Sequence, residues 1–312
     1  MSTAPHWAAK NERGTPFFLK VTAWIVYRLP ATLVKIVVYA VVTYFYATSA
    51  AERRHLRHYH RRIRQTFPQA NLPERHAVFR HFLAFGESIG DRFAVWQKKI
   101  RFCDVQYHDP DNLAVQSEYT GQEGQRGQIF ITSHLGNTEI CRAFSARHPG
   151  FVMNVLVHSR HAEAFNRALK EAGADDIRLI QVTELDAALM LELNARLDAG
   201  QWLAIAADRI PVRGEKTVTV DFLGAPALLP QGPWLLAGLL RAPINILFAP
   251  KHNGRYRISI RRFCDEVTWT RNNRSTVIAG LAQRYADELA AECAQNPLQW
   301  FNFYDFWNDH AA

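Results

Sequence analysis

The chain is predicted to be an α/β protein, with a mostly parallel central sheet flanked by helices and an N-terminal membrane-anchoring helix. Three observations predict this. Short apolar runs alternate with helically periodic stretches between residues 73 and 262, as in strand–helix–strand units that build a parallel sheet. One apolar stretch near the N-terminus has the length of a bilayer crossing. The excess positive charge flanks that stretch. With 312 residues and 48% hydrophobic content, the chain can bury a sizeable core and is not disordered in composition.

The first element is "ATLVKIVVYAVVTYFYATSAA", residues 31–51, apolar or small except for Lys35. As one helix it would reach roughly 31 Å. Lys35 lies near one end, where it can snorkel, and Tyr39, Tyr44 and Tyr46 suit an interface. Three roles fit: a span, a helix lying in one leaflet, or a core helix of the body. A cleaved signal peptide fits less well, because the stretch begins some thirty residues in and exceeds a typical signal core.

Charge favours a membrane role. Residues 1–65 hold eleven of the 37 Lys and Arg but only two of the 29 acidic residues, so the net charge of +8 resides there. A nucleic-acid-binding protein would carry basic residues around the body that meets the phosphates, so no nucleic-acid partner is expected. The run "ERRHLRHYHRRIR" directly after the apolar stretch keeps the C-terminal side in the cytoplasm by the positive-inside tendency. Its histidines read as part of a solvated, lipid-facing basic face rather than a metal site. The chain thus divides into an anchor with its basic flank, 1–65, and a body, 66–312.

Four cysteines, at 103, 141, 264 and 293, are scattered without a C-x-x-C pair or histidines at ligand spacing. Neither a disulfide framework nor a zinc site is indicated, and a reducing cytosol suits them.

The body opens with an amphipathic helix over 73–98, carrying Val78, Phe82, Phe85, Ile89, Phe93 and Trp96 at helical spacing. Strands are expected at 128–133, 152–157, 177–182, 202–207, 218–223, 244–249 and 256–262. Between them "HAEAFNRALKEAG", "ELDAALMLELNARLDAG" and "GPWLLAGLLRA" have helical period and end at glycine or proline signals. "TGQEGQRGQ" is a surface loop, and since no strand precedes it, its glycines are not a dinucleotide fingerprint. There is no internal repeat.

Two motifs point to different enzymes. "GESIG", residues 86–90, has the G-x-S-x-G form of a serine-hydrolase elbow with Ser88 as nucleophile, but that elbow needs a strand and a sharp turn. Here the helical spacing runs unbroken through it, and helix packing by small residues is the simpler reading. "ITSHLGNTEI", residues 131–140, places His134 and Glu139 five positions apart. On one continuous helix they would point about 140° apart, so they meet only if His134 lies in a turn and Glu139 in the first turn of a following helix. The sequence supplies a buried-type strand, Gly136 for the turn, and Asn137 or Thr138 as cap. His134 would then sit at the C-terminal strand edge, where open α/β sheets keep ligand crevices. The plainer alternative is a loop histidine and a glutamate complementing a helix dipole.

The H-x4-E pattern after a strand, the anchor with its basic flank and the α/β body together resemble the lysophospholipid acyltransferase superfamily. Within it, the bacterial lipid A late (lauroyl/myristoyl) acyltransferases look most similar. Further blocks fit in order: "VHSR" with Arg160; "AIAADRIPVRGEKTVTVDFLGAPALLPQGPWLLA" with Asp208 and Arg209; and the aromatic ending "PLQWFNFYDFW". The similarity runs from about residue 15 to 307. Departures occur at Arg160-His161, where the family more often has arginine-proline, and in an acidic ending where it has a basic one. That ending resembles a sub-branch found with aryl polyene lipid pathways.

The resemblance implies a membrane-bound O-acyltransferase of the bacterial inner membrane, its 66–312 domain cytoplasmic. His134 would be general base toward an acceptor hydroxyl, and Glu139 would hold its tautomer. The implied donor is an acyl carrier protein or coenzyme A thioester, and the acceptor a lipid or glycolipid. Backbone N–H groups at Gly136 and Asn137 and the guanidinium of Arg160 are candidate oxyanion donors. Arg160 and Arg209 can equally hold a phosphate. Asp208 would organise an arginine or cap a loop. No metal or redox cofactor is called for. The terminal aromatics Trp300, Phe301, Phe303, Tyr304, Phe306 and Trp307 read as core or membrane-interface residues. Against this stand a Ser88 esterase or lipase and a non-enzymatic membrane adaptor that needs neither residue.

Overall fold

Ile129 and Ile131 face one side of a strand and Phe130 the other, each fully buried in a different apolar cluster. This period-two alternation marks a strand covered on both faces. The computed structural model describes residues 28, 31–96, 99–113, 126–141, 151–157, 177–181, 186–210 and 216–307.

Among these residues the strands are β1 (Gln106–His108), β2 (Ile129–Thr132), β3 (Met153–Val157), β4 (Ile177–Gln181), β5 (Trp202–Ala206), β6 (Thr217–Asp221), β7 (Pro226–Pro230), β8 (Ile244–Phe248), β9 (Lys251–His252) and β10 (Arg255–Cys264). The main sheet runs β1-β10-β8-β2-β5-β3-β4, with β9 paired to β10. Strands β8, β2, β5, β3 and β4 are mutually parallel, whereas β10 is antiparallel to β8. The expected mostly parallel α/β sheet is therefore present. The strand expected at 218–223 exists as β6 but pairs with β7 in a separate hairpin. Sequence reasoning passed over β7, because Pro226 and Pro230 at its two ends read as turn signals.

The helices are α1 (Ala31–Thr48), α2 (Ala50–Thr66), α3 (Ala77–Trp96), α4 (Ala187–Asp198), α5 (Gly232–Leu240) and α6 (Arg274–Gln295). The long body helix, "ELDAALMLELNARLDAG" and "GPWLLAGLLRA" thus appear as α3, α4 and α5, while "HAEAFNRALKEAG" lies outside the described residues. Helix α6 was not anticipated; its Ile278, Leu281, Tyr285 and Leu289 join Ile129, Ile131 and Trp234 in the larger core.

The N-terminal segment departs from a single 31–51 helix. Helix α1 stops at Thr48, and after Ser49 the chain turns by 93° into α2, so no single helix among the described residues is long and apolar enough to cross a membrane. The cause is local. Ser49 leaves helical geometry, and the Arg53 guanidinium donates to the carbonyls of Ala47, at 2.8 Å, and Tyr46, which end α1. One face of α1 packs on α3 through Val38, Val42 and Tyr46 against Val78, Phe79 and Phe82. The helices approach closely at Gly86, where an added Cβ would lie 2.5 Å from Val42, so the first glycine of "GESIG" serves helix packing. The rest of α1 leaves Leu33, Ile36, Val41 and Tyr44 exposed, and Tyr39, also largely exposed, sits edge-on to Phe79 of α3.

Helix α2 is amphipathic in a way the His-rich run did not suggest. Leu56, Tyr59, His60 and Ile63 are buried, and only Arg54, Arg57, Arg61 and Arg64 form an exposed stripe. His60 therefore belongs to the interior rather than to a solvated basic face.

Candidate active site

The strand register dictates the site. Thr132 of β2 pairs with Ala206 of β5 in a parallel ladder. Two residues beyond each, at the C-terminal ends of adjacent strands, stand His134 and Asp208. Nδ1 of His134 lies 2.8 Å from Asp208 Oδ1, and the His134 backbone N–H donates to Oδ2 at 2.8 Å. His134 is thus at the strand edge, as expected, but the carboxylate on its Nδ1 is that of Asp208. Glu139 accepts instead from Nε1–H of Trp96 on α3, at 3.0 Å.

Asp208 is fully buried, and a buried carboxylate survives only with donors around it. Besides both groups of His134 it accepts from Trp300 Nε1–H at 3.0 Å and Asn302 Nδ2–H at 3.1 Å. Burial pushes its carboxyl up, but the charge and hydrogen bond of His134, with the Arg209 guanidinium, outweigh burial and hold the pKa at about 2. An ionised Asp208 fixes Nδ1 of His134 as the donor and leaves the lone pair on Nε2. The His134 pKa is lowered, by burial first and by Arg209 second, with Asp208 pulling upward. About a third of the side chain, 34%, remains exposed, so a substrate can reach the ring.

The turn after His134 is held from several sides. Gly136 has φ +74°, and an added Cβ would lie 2.1 Å from the Ala249 carbonyl oxygen, so only glycine fits. Asn137 accepts from the Glu139 N–H and caps a short 3-10 turn, Thr138–Ile140. The expected turn and cap are therefore present, while residues 142–150 lie outside the described residues. The expectation for backbone donors changes: Gly136 N–H donates to Gln299 O and Asn137 N–H to Ala249 O, each at 2.9 Å. Neither points at an oxyanion, because the turn is stitched to Ala249, just past strand β8, and to the C-terminal segment.

Arg209 donates from Nε to Asn302 Oδ1 and from Nη2 to Phe301 O, both at 2.7 Å. Arg160 lies outside the described residues. Ser88 sits within α3, buried, its Oγ without a hydrogen-bond partner. No strand or sharp turn presents it, so the elbow reading fails.

Sequence reasoning missed the part played by the chain's end. Trp300 and Asn302 hold Asp208, Phe301 N–H donates to His134 O at 2.9 Å, and Tyr304 hydroxyl donates to Asp208 O at 3.3 Å. Trp300, Phe301, Phe306 and Trp307 are buried, in keeping with core aromatics, yet the same segment builds the site. Behind it, His60 and His81 are buried 3.1 Å apart (Nε2 to Nδ1), and His81 Nε2–H donates to the Trp300 carbonyl at 3.0 Å. The contacts of Trp300 and Asn302 with Asp208, and of Arg209 with Phe301 and Asn302, had no local signal, each joining residues more than 90 positions apart in sequence. Among the described residues no group of histidine, cysteine and carboxylate side chains could hold a metal.

A histidine at the C-terminal edge of a parallel strand, with its Nδ1 locked by a buried carboxylate and its Nε2 free to accept a proton, defines a class of α/β enzyme equipped for general-base chemistry. The family model for bacterial lipid A biosynthesis acyltransferases matches residues 5–309, and the chain belongs to that family. It is an acyltransferase, and lipid A-like molecules are the family's substrates. A search of curated proteins finds no match.

Proposed function

We propose that the enzyme moves a fatty acyl group from an acyl carrier protein or coenzyme A thioester to a hydroxyl of a lipid A-like acceptor, with His134 as base and Asp208 as its orienting carboxylate. The observation that carries this is the His134 Nδ1–Asp208 Oδ1 bond of 2.8 Å, which leaves Nε2 basic. Nε2 takes the acceptor hydroxyl proton as that oxygen attacks the thioester carbonyl. The new C–O bond forms, the C–S bond breaks, and the proton passes to the departing thiolate. The acceptor is itself the nucleophile, so no acyl-enzyme is needed. Arg209, with Arg160, supplies positive charge for the oxyanion that develops. Glu139 braces the turn through Trp96 rather than gripping the imidazole.

The same reading places the enzyme on the cytoplasmic side of the inner membrane. The exposed apolar face of α1 and the exposed arginines of α2 suit a helix lying in one leaflet beside anionic headgroups. Sedimentation with vesicles tests this: binding to anionic vesicles should weaken for Ile36→Glu/Tyr44→Glu, and equal binding by that variant would contradict it.

The activity is tested by mass spectrometry of a lipid A disaccharide precursor incubated with purified enzyme and an acyl thioester. A product heavier by one acyl group is expected with wild type and Ser88→Ala but not with His134→Ala. Product formation by His134→Ala at the wild-type level would remove His134 from the mechanism.

A further inference from the structure

Helix α3 runs past the catalytic turn and touches it at two points one helical repeat either side of Arg92. Four residues before Arg92, the Ser88 carbonyl accepts from Asn137 Nδ2–H at 3.3 Å. Four residues after it, Trp96 Nε1–H donates to Glu139 at 3.0 Å. Positions four apart share a helix face, so Arg92 is presented toward the loop that carries His134. Its Nε is buried and has no hydrogen-bond partner. The neighbouring Asp91 does not compensate it, since that carboxylate is taken by Lys251 Nζ at 2.8 Å and by the Tyr256 hydroxyl at 2.7 Å. Asp208, the buried anion of the site, is already surrounded by donors from His134, Trp300 and Asn302. A buried donor left unmade on a cationic side chain costs free energy unless something arrives to accept from it.

We infer that Arg92 is a substrate-binding residue that takes a phosphate ester beside His134, completing its guanidinium hydrogen bonds when substrate is bound. Arginine suits this because its planar fork matches phosphate oxygens two at a time. Its electrostatic influence on both His134 and Arg209, lowering each pKa, agrees with a place among them. The phosphate has two possible sources, one on the glycolipid acceptor and the other the phosphodiester of the donor's pantetheine arm. This inference rests on the acyl-transfer reading for its substrates, but its test does not depend on turnover.

Binding comes first. Quenching of tryptophan fluorescence is titrated with a phosphorylated lipid A disaccharide, its dephosphorylated counterpart, acyl-coenzyme A and acyl-N-acetylcysteamine, the last lacking phosphate. Wild type should bind the phosphate-bearing member of one pair more tightly, and Arg92→Ala should erase that preference, weakening binding about tenfold or more. Arg92→Lys should recover part of it. The pair that responds identifies the source. If Arg92→Ala keeps wild-type preference in both pairs, or wild type shows none, the inference is overturned.

Kinetics separates the two claims. If wild type transfers acyl groups, Arg92→Ala should raise KM for the phosphate-bearing partner about tenfold with kcat changed far less. A fall in kcat alone would make Arg92 something other than a binding residue. If wild type binds the phosphorylated probe through Arg92 yet transfers nothing, the acyl-transfer reading fails and the anion site stands.

Discussion

Both groups of His134 that face Asp208 are bonded to it: Nδ1 lies 2.8 Å from Oδ1, and the backbone N–H donates to Oδ2 at 2.8 Å. One carboxylate therefore sets both the ring's tautomer and the path of the chain carrying the ring. A strong hydrogen bond from imidazole to a buried carboxylate shifts its proton far downfield in NMR. That resonance should be present in wild type, persist in Glu139→Gln, and vanish in Asp208→Asn. Loss of the signal in Glu139→Gln instead would return the orienting role to Glu139.

The rate should depend on pH through His134. A base works only when neutral, and burial and Arg209 lower its pKa from 6.5. Activity should thus be flat near neutrality and fall as pH drops, about tenfold per unit on the acid limb, with the midpoint below 6.5. Arg209→Gln removes one cause of the lowering and should move the limb upward. A limb centred above 7 in wild type would contradict the assignment.

Stability should fall as pH drops below 6.5, because two buried histidines are held neutral in the fold. Burial, then Arg64, lowers His60 to about 4, and burial, then His60, lowers His81 well below 6.5. Both are neutral in the folded protein, whereas the unfolded chain takes up protons near 6.5. Their contribution is complete above 6.5 and is lost as pH falls toward 4, His60 alone accounting for roughly 3 kcal/mol. Urea unfolding between pH 7.5 and 4.5 measures this, and His60→Gln should flatten the dependence. An unchanged slope would show that the pair is not held neutral.

Gly136→Ala should be severe although the site gains only a methyl group. The left-handed φ strains alanine, and its Cβ would meet the Ala249 carbonyl oxygen at 2.1 Å, so the loop must move. A loss of about 3 kcal/mol or more is expected in thermal or urea unfolding, with activity falling too, because His134 is two residues away. Wild-type stability would mean that the turn relaxes freely.

Much of this was legible in the chain itself. Alternation at 129–131 and the helical spacing at 78–96 announced β2 and α3, because burial on fixed faces writes a period into sequence. His134, Gly136 and Asn137 could be placed in a strand-to-helix turn from local chemistry alone. Asp208 was visible as a residue at a strand end, but its partner was not, since neighbouring strands in a parallel sheet need not be consecutive. Only the order β2–β5 brings it beside His134. Trp300 and Asn302 were further out of reach, because hydrogen bonds between residues ninety positions apart leave no periodic trace. The bend at Ser49 escaped for a different reason: the apolar composition of 31–51 continues across it, and the arginine that ends α1 lies beyond the apolar stretch, in a run that reads only as a basic flank.

The most direct test is the rate of acyl transfer by Asp208→Asn at neutral pH, with donor and acceptor saturating. A fall of about 10²- to 10⁴-fold is expected in a protein that still unfolds cooperatively, because Nδ1 loses its anionic partner and Nε2 its basicity. A rate within threefold of wild type would show that His134 does not act as a base held by Asp208.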